Sequence, residues 1–414
     1  MDYVERAITP ALMERAAVYP AVFVTGPRQS GKSTLVRQAF PGYDYVSFEE
    51  LDTRQFASDD PRGFLQQFSN RVILDEAQRV PNIFSYLQSH IDKEDLPGMY
   101  ILSGSQNFLM LKSISQSLAG RVGVLSLLPF VLSELQVAGH KPASAEQWML
   151  KGGYPRAILR NISATSFYQD YLQTYIQRDV RNETTVRDVA RFRTFLVACA
   201  AKVGGLINMN DIGRDIGADA RTVASWISIL EESYVVFRLT PYYSDIGNRH
   251  TKTAKLYFYD TGLLCFLLGI RSEQALMKSK FSGRIFENAV IAEKQKQLLN
   301  AGQMPMMYFW RDNAAKDKEI DLLIETEHQR LELFEIKASM TANRSYLDTM
   351  LKFAQRSQAD CSVNVIYKGQ DLVSAADSPG EPGGELPGEL PTGQPTRQPT
   401  RQPAGPNFIN WQSM

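Results

Sequence analysis

The 414-residue chain lacks the marks of several protein classes. It has no net charge: 45 lysines and arginines balance 45 aspartates and glutamates, so any nucleic-acid surface has to be local. Only three cysteines occur, Cys199, Cys265 and Cys361, far apart and without a CxxC pair. That excludes a disulfide scaffold and fits buried free thiols in a reducing compartment. The four histidines, His90, His140, His250 and His328, are scattered, and no His/Cys cluster has zinc spacing. There is no G-x-S-x-G elbow. The start, "MDYVERAITP", has two acids and no apolar core of a signal peptide. The longest apolar stretches, "VGVLSLLPFVL" and "GLLCFLLGI", are too short for bilayer-crossing helices. A cytoplasmic protein with no membrane partner is the expectation.

What is present reads as α/β, in four regions. Residues 1–137 alternate short apolar strands with helical segments, the pattern of a parallel sheet. Residues 138–270 are mostly helical, with aromatics at helical spacing in "SFYQDYLQTYIQRDV". Residues 271–373 place a helix before four apolar strands, an α/β unit of its own. Residues 374–414 are dominated by proline and glycine, with short echoes such as ELPG/ELPT and TRQP/TRQP, and are expected to be a disordered tail.

The strongest chemical signal is "GPRQSGKST", from Gly26 to Thr34, which fits G-x-x-x-x-G-K-[ST] with a strand before it and a helix after. Gly26 and Gly31 let the backbone curl so that the N–H groups of Pro27's successors Arg28, Gln29 and Ser30 turn towards phosphate oxygens. The helix beginning near Lys32 adds its positive end. Lys32 supplies charge for the β and γ phosphates, and Ser33, followed by Thr34, offers a hydroxyl to Mg²⁺. ATP and Mg²⁺ are therefore the expected ligands. A second apolar strand, "RVILDEAQ", ends in Asp75, a metal partner direct or through water, and Glu76, placed to polarise an attacking water. After a third strand, Ser105, Gln106 or Asn107 could sense the γ-phosphate, with Ser105 preferred. Arg121, just before a further strand, could stabilise phosphoryl charge in cis or across a subunit boundary, which would need a homo-oligomer, or could form a surface salt bridge.

In this order "TGPRQSGKST", "ILDEAQ", "LSGSQNF" and "SLAGRV" resemble the prokaryotic AAA-type ATPases fused to the domain of unknown function 4143. "GGYPRA" from Gly152, "YIQRDV" from Tyr175 and "YDTGLL" from Tyr259 extend the likeness over nearly all but the tail. The resemblance implies a P-loop ATPase of the AAA superfamily and leaves its substrate open.

In the middle region "NMNDIGRDIGADARTVASWISILEESYVVFRLTPYY" reads as helix, turn, helix and strand, a winged-helix pattern. Ile212 and Ile216 are expected on the buried face of the first helix, and Val223, Ile227 and Leu230 on that of the second. Arg221, Thr222 and Ser225 are left more exposed. Such a helix can enter a DNA major groove, or the module can pack against protein; cations and acids nearly balance around it.

The third region carries Glu287 on a helix, Asp321 at the start of a strand, and Glu335 and Lys337 two apart on the next strand. Period-two alternation puts Glu335 and Lys337 on one face, and a neighbouring strand brings Asp321 beside them. Asp321 and Glu335 are hard ligands for Mg²⁺ or Mn²⁺, Glu287 could complete the shell, and Lys337 could position or activate a water. The order resembles the PD-(D/E)xK nucleases. Two functions follow: an ATP-driven enzyme that binds or cleaves DNA, or a nucleotide-controlled switch whose nuclease-like domain is catalytically silent.

Overall fold

The computed structural model describes residues 3–105, 118–175, 186, 188–243, 253–312, 318–327, 329–372 and 406–414. Gln106 and Asn107, the "YIQRDV" stretch beyond Tyr175 and the proline- and glycine-rich stretch 373–405 lie outside them. The chain divides into two compact units, residues 1–241 with 245–305, and residues 242–244 with 306–414.

The first unit begins with a five-stranded sheet. Its strands are β1 (Ala21–Thr25), β2 (Asp44–Ser47), β3 (Val72–Asp75), β4 (Tyr100–Ser103) and β5 (Val122–Ser126), all parallel, in the order β2-β3-β4-β1-β5. Alternate residues feed two separate cores. Ala21, Phe23, Leu74, Tyr100 and Leu102 pack on one face with Phe64, Phe84 and Leu87. Val22, Val24, Ile73 and Ile101 pack on the other with Leu12, Leu35 and Val36. Both faces are covered, which is why these strands read as unbroken apolar runs. Because every strand points the same way, Thr25, Asp75, Ser103 and Ser126 all end at one edge of the sheet. Ligands of open parallel sheets gather at that carboxyl edge.

Beyond the sheet the unit is largely helical. The expected helix–turn–helix is present: Met209–Ile216, then Ala220–Glu232. Asn208 caps the first by accepting from the N–H groups of Asn210 and Asp211, and Asp219 caps the second by accepting from Thr222 N–H at 2.7 Å. Gly213 lies against the turn so closely that a Cβ there would stand 2.4 Å from the Ala218 carbonyl oxygen. Ile212, Ile216, Val223, Ile227 and Leu230 are buried as expected, joined by Trp226 and Ile229. Two antiparallel strands follow, β6 (Val236–Pro241) and β7 (Lys255–Phe258).

One boundary differs from expectation. The helix Ser282–Asn300, which carries Glu287, belongs to the first unit rather than to the region after it. The cause is specific: the Asn288 amide brackets Phe258, accepting from its N–H at 2.7 Å and donating to its carbonyl at 2.8 Å. All three cysteines are free and buried; burial pushes the Cys265 thiol up to about 12 and raises Cys199 and Cys361 as well.

The second unit contains β8 (Met307–Arg311), β9 (Glu319–Glu327), β10 (Arg330–Lys337), the helix Asp348–Arg356, β11 (Asp360–Tyr367) and β12 (Asn407–Asn410), with the strands ordered β12-β11-β10-β9-β8. β9 runs antiparallel to both neighbours. β11 is parallel to β10, and the helix makes the crossover that parallel pairing requires. Leu323, Leu333, Val363 and Val365 pack beneath that helix with Met350.

β12 corrects the expectation that everything after residue 374 is disordered. "NFIN" pairs in parallel with β11 from Asn364 to Tyr367, and Trp411 is only 4% exposed, its N–H donating to the Tyr367 carbonyl at 3.1 Å. A compact apolar cluster after a long polar stretch was the available signal. Trp411→Ala is expected to lower the second unit's stability by about 3–5 kcal/mol, the usual cost of truncating a buried aromatic. Denaturant unfolding followed by circular dichroism reads it, and a loss below about 1 kcal/mol would mean that β12 does not hold its edge.

Candidate active site

The loop after β1 has the curled backbone its glycines imply. Gly26 sits at φ 146°, Gly31 at φ 95° and Gln29 at φ 63°. A Cβ on Gly26 would lie 2.1 Å from the Leu127 carbonyl oxygen, so the close approach as well as the dihedral demands glycine. Arg28, Gln29, Gly31, Lys32, Ser33 and Thr34 line a cavity of about 380 Å³ together with Glu76 and Thr174. Lys32 is buried and its ammonium donates to the carbonyls of Gly26 at 3.0 Å and Pro27 at 2.8 Å, which holds it inside the curl. The helix Lys32–Ala39 points its amino end into this loop. Ser30 is fully buried and does not line the cavity; its carbonyl faces away to Arg6, accepting from the guanidinium at 2.8 Å.

The two acids after β3 divide. Asp75 is buried at the end of its strand; one carboxylate oxygen accepts from the Tyr45 hydroxyl at 2.6 Å, the other from the Ser103 hydroxyl. Burial and the Asp75 carboxylate together raise the Tyr45 pKa well above that of an ordinary phenol, so Tyr45 stays a donor. Glu76 turns the other way. Its backbone is left-handed, φ 56°, and its side chain lines the cavity beside Lys32 and Ser33. Gln78 Nε2 donates to Glu76 Oε2 and also to Ser105 Oγ at 3.1 Å. Ser105 is thereby linked to Glu76 through one amide. The Ser33 hydroxyl and the Asp75 carboxylate are oxygen donors of the kind Mg²⁺ prefers, and the site fits that ion in chemistry.

Arg121 is placed elsewhere. It precedes β5, whose first residue pairs with Ala21 at the start of β1, whereas the phosphate loop follows the end of β1. The strand length, about 16 Å, therefore separates it from the loop within one chain. Its guanidinium pairs instead with the Asp92 carboxylate, with the second contact at 3.0 Å. The surface salt bridge is what forms, and within one chain Arg121 does not reach the phosphate loop.

Sequence reasoning missed the group behind the loop. Arg6 is 4% exposed and spends every nitrogen on a partner: Nε on Glu134 at 2.9 Å, one terminal nitrogen on the Ser30 carbonyl at 2.8 Å, the other on the Leu128 carbonyl at 2.7 Å. Its guanidinium also covers the Phe130 ring at 4.7 Å. No local signal marks Arg6, since its partners lie 24 to 128 residues away. Thr174, from the helix Ala164–Tyr175, was equally silent, whereas Gln78 stood in plain view inside "DEAQ".

The downstream carboxylates separate between the two units. In the second unit the β9–β10 register sets Glu335 opposite Asp321, as the continuation of Phe334 opposite Leu322. Lys337 Nζ stands 2.5 Å from Glu335 and 3.9 Å from Asp321, while Asp321 Oδ2 accepts from the Ile336 N–H at 2.8 Å. Glu287 belongs to the first unit, where it accepts from the Tyr257 hydroxyl at 2.5 Å and faces the buried Lys255 ammonium at 3.5 Å. Among the described residues no cluster of three or more His, Cys, Asp or Glu side chains is arranged to hold a metal. Within the second unit, what comes together is the acid pair Asp321 and Glu335 with Lys337.

At the helix–turn–helix the cations are neutralised at short range: Arg214 by Asp211, Lys202 by Asp215 at 3.3 Å and Arg238 by Glu231 at 2.7 Å. Arg221 is exposed at the start of the second helix, and among the described residues these ion pairs leave little surplus charge for a duplex. No helix among the described residues is long and apolar enough to cross a membrane.

Two outcomes follow from this geometry. Arg6→Ala, which strands Glu134 without its cation, is expected to cost about 3–5 kcal/mol of stability and to weaken ATP binding measured by calorimetry; Arg6→Lys should recover stability more than nucleotide affinity, since an ammonium cannot span Ser30, Leu128 and Glu134 at once. Gln78→Ala should lower the turnover of ATP by on the order of tenfold or more with its affinity little changed. Equal losses in both quantities would identify Gln78 as a purely structural residue.

Residues 18–136 match the family described as AAA domain, residues 143–274 one described as Domain of unknown function (DUF8612), and residues 282–379 one described as Domain of unknown function (DUF4143). Over 381 residues the chain is 30% identical to the uncharacterized protein Rv2008c of Mycobacterium tuberculosis and to the uncharacterized protein Mb2031c of Mycobacterium bovis, covering 91% of this chain and 82% of each relative. Among solved structures it is similar to the Walker-type ATPase PABY2304 of Pyrococcus abyssi, at 16% identity and TM-score 0.41 over 64% of this chain and 96% of that one. AMPPCP-bound DnaA from Aquifex aeolicus is also similar, at 17% identity and TM-score 0.28 over 54% and 86%. With the phosphate loop, its acid-bearing strand and both flanking family matches in one chain, the protein belongs to the AAA-type P-loop ATPases fused to the domain of unknown function 4143.

Proposed function

We propose that the protein hydrolyses ATP with Mg²⁺ at the Lys32 loop and couples that turnover to metal-dependent cleavage of DNA at the second unit. In the first reaction Lys32 and the loop N–H groups hold the phosphates. Ser33 and Asp75 are the residues that would hold Mg²⁺, which neutralises charge on the β and γ phosphates. Glu76 takes a proton from the attacking water as the new P–O bond forms and the bond to the β-phosphate oxygen breaks. Ser105, held to Glu76 through Gln78, registers the γ-phosphate.

One observation carries the second half: Asp321, Glu335 and Lys337 converge on one face of adjacent strands, with the lysine between two half-buried carboxylates. Asp321 and Glu335 would hold Mg²⁺ or Mn²⁺, which polarises a phosphodiester. Lys337 orients the water that attacks phosphorus; the new P–O bond forms as the bond to the leaving oxygen breaks, the attacking water gives up a proton to solvent and the leaving oxygen takes one from it. A second reading has its own support. The Lys337 ammonium already occupies the Glu335 carboxylate, which suits a nucleotide-controlled switch whose second unit is catalytically silent.

A single assay matrix separates them: the full chain with plasmid or single-stranded DNA, and Mn²⁺ and ATP each present or absent. Cutting that requires metal and disappears in Asp321→Asn and Lys337→Ala, with ATP turnover intact in both, is the expected result. ATP turnover with no cutting under any condition would establish the switch.

A further inference from the structure

A cavity of about 510 Å³ opens within the second unit, inside the range of small-molecule sites, ~300–1,000 Å³. Its apolar wall is aromatic: Trp310 of β8, Tyr242 and Phe353. Trp310 and Phe353 meet edge-on at 5.2 Å, as do Tyr242 and Phe353 at 6.2 Å, so the rings are fixed by each other before any ligand arrives. Trp310 is only half-buried, whereas Trp148, Trp226 and Trp411 are buried. The rest of the wall is cationic. Lys318, Lys352 and Arg356 are exposed, and among the described residues none of the three is ion-paired with a carboxylate. Lys352 and Arg356 stand four apart on the helix Asp348–Arg356 and so share a face. Arg311 is already committed to Glu319, and Asp312 is the acid in the lining. The contrast with the helix–turn–helix is direct: there each of three cations has an acid within reach, while here, among the described residues, the three cations beside the aromatic rings have none in an ion pair.

Surplus cations interleaved with half-exposed aromatics are what an unpaired nucleic-acid strand requires, because bases stack on rings and phosphates track along cations. A duplex offers no free base faces, and an acidic peptide has no use for the rings. We propose that this cavity binds single-stranded nucleic acid, a base resting against Trp310 and the flanking phosphates on Lys318, Lys352 and Arg356. It rests on the reading that the second unit acts on nucleic acid, and it identifies which form of the polymer that unit holds. The helix presents its carboxyl end here, whose dipole repels phosphate, so the affinity resides in the side-chain cations.

The test uses the full chain in EDTA, where nothing is cut, and the fluorescence anisotropy of a labelled oligothymidylate of about 12 nucleotides. Binding is expected, with Trp310 emission quenched and the matching duplex bound more weakly. K352E/R356E, at two exposed positions, should weaken binding by roughly tenfold or more and flatten the dependence on log salt by about 1.4, two phosphates' worth. Trp310→Ala should weaken it about tenfold with the salt slope unchanged, and Trp310→Phe, which retains a ring and guards against misfolding, should restore most of the affinity. Unchanged affinity in K352E/R356E, preference for duplex, or equal competition by polyglutamate would each overturn the assignment. Asp321→Asn distinguishes this from the cleavage reading: it should keep wild-type oligothymidylate affinity. A wild-type chain that binds but never cuts removes the nuclease and leaves the cavity standing, while cutting that survives K352E/R356E at full oligothymidylate affinity removes the cavity and leaves the nuclease.

Discussion

A buried guanidinium braces the phosphate loop from behind, and much of the first unit is arranged around it. Arg6 reaches the Ser30 carbonyl inside the loop, the Leu128 carbonyl just past β5, the Phe130 ring and Glu134. Glu134 is engaged through both oxygens in turn: it accepts from the N–H of Ala7 at 2.7 Å and of Val131 at 2.9 Å as well as from Arg6. A buried ion pair of this kind gains little over an apolar replacement but is costly to break on one side, because the remaining charge has nowhere to go. Its value lies in geometry. The planar fork fixes three backbone segments at set distances, and Gly26, which leaves no room for a Cβ against Leu127, closes the same gap from the loop's other end. The next helix turn is pinned as well, by Glu293 accepting from the Leu132 N–H at 2.6 Å; burial raises the Glu293 pKa.

The same brace explains what two family-like motifs contribute. Gly153 of "GGYPRA" accepts through its carbonyl from Phe130 N–H at 2.8 Å, and its own N–H donates to Asp260 of "YDTGLL" at 2.8 Å. Asp260 also accepts from the Tyr168 hydroxyl at 2.6 Å and caps the helix Thr261–Leu267. A Cβ on Gly152 or Gly262 would run into Tyr168. These letters are therefore packing requirements around one buried carboxylate. They join the segment under Arg6 to the helix Ala164–Tyr175, whose Thr174 lines the nucleotide cavity. A change in that cavity has a continuous path of packed groups into the helical region.

Legibility followed sequence distance. The loop from Gly26 to Thr34, the strand before Asp75 and the buried faces of the helix–turn–helix are local patterns, and each was readable because the same few residues both encode the element and carry its chemistry. Asp321, Glu335 and Lys337 were readable as well, since antiparallel register and period-two alternation convert spacing directly into proximity. Arg6, Thr174 and the Tyr45 and Ser103 partners of Asp75 were not. They reach the site through tertiary closure, and a lone arginine near the start of a chain has no periodicity to betray it. Of the readings open for Arg121 the surface salt bridge is the one seen, and the role in cis was misleading for the opposite reason: parallel strands send the residue before a strand and the residue after it to opposite edges of the sheet. The unit to which Glu287 belongs was not readable either, because the helix that carries it is held through Asn288 on Phe258 rather than by a pattern local to the sequence.

The division between the two adjacent acids bears on which chemistry the cavity can perform. Asp75 is buried with a hydroxyl on each oxygen, and each oxygen keeps a further lone pair, so it can assist a cation without swinging out. Glu76 adopts a left-handed backbone that costs a non-glycine residue roughly 1–2 kcal/mol. Without that reversal, strand alternation would send Asp75 and Glu76 to opposite faces of the sheet rather than letting Glu76 look into the space above its carboxyl edge. The strain is sustained by the turn Ala77–Arg79 that follows and by the Gln78 amide on the Glu76 carboxylate. Strain of this sort persists where the surroundings over-determine it, and it tends to mark positions where a side chain has to be aimed. A cavity that only stored nucleotide would have no use for an aimed carboxylate beside its lysine, which favours hydrolysis over passive binding.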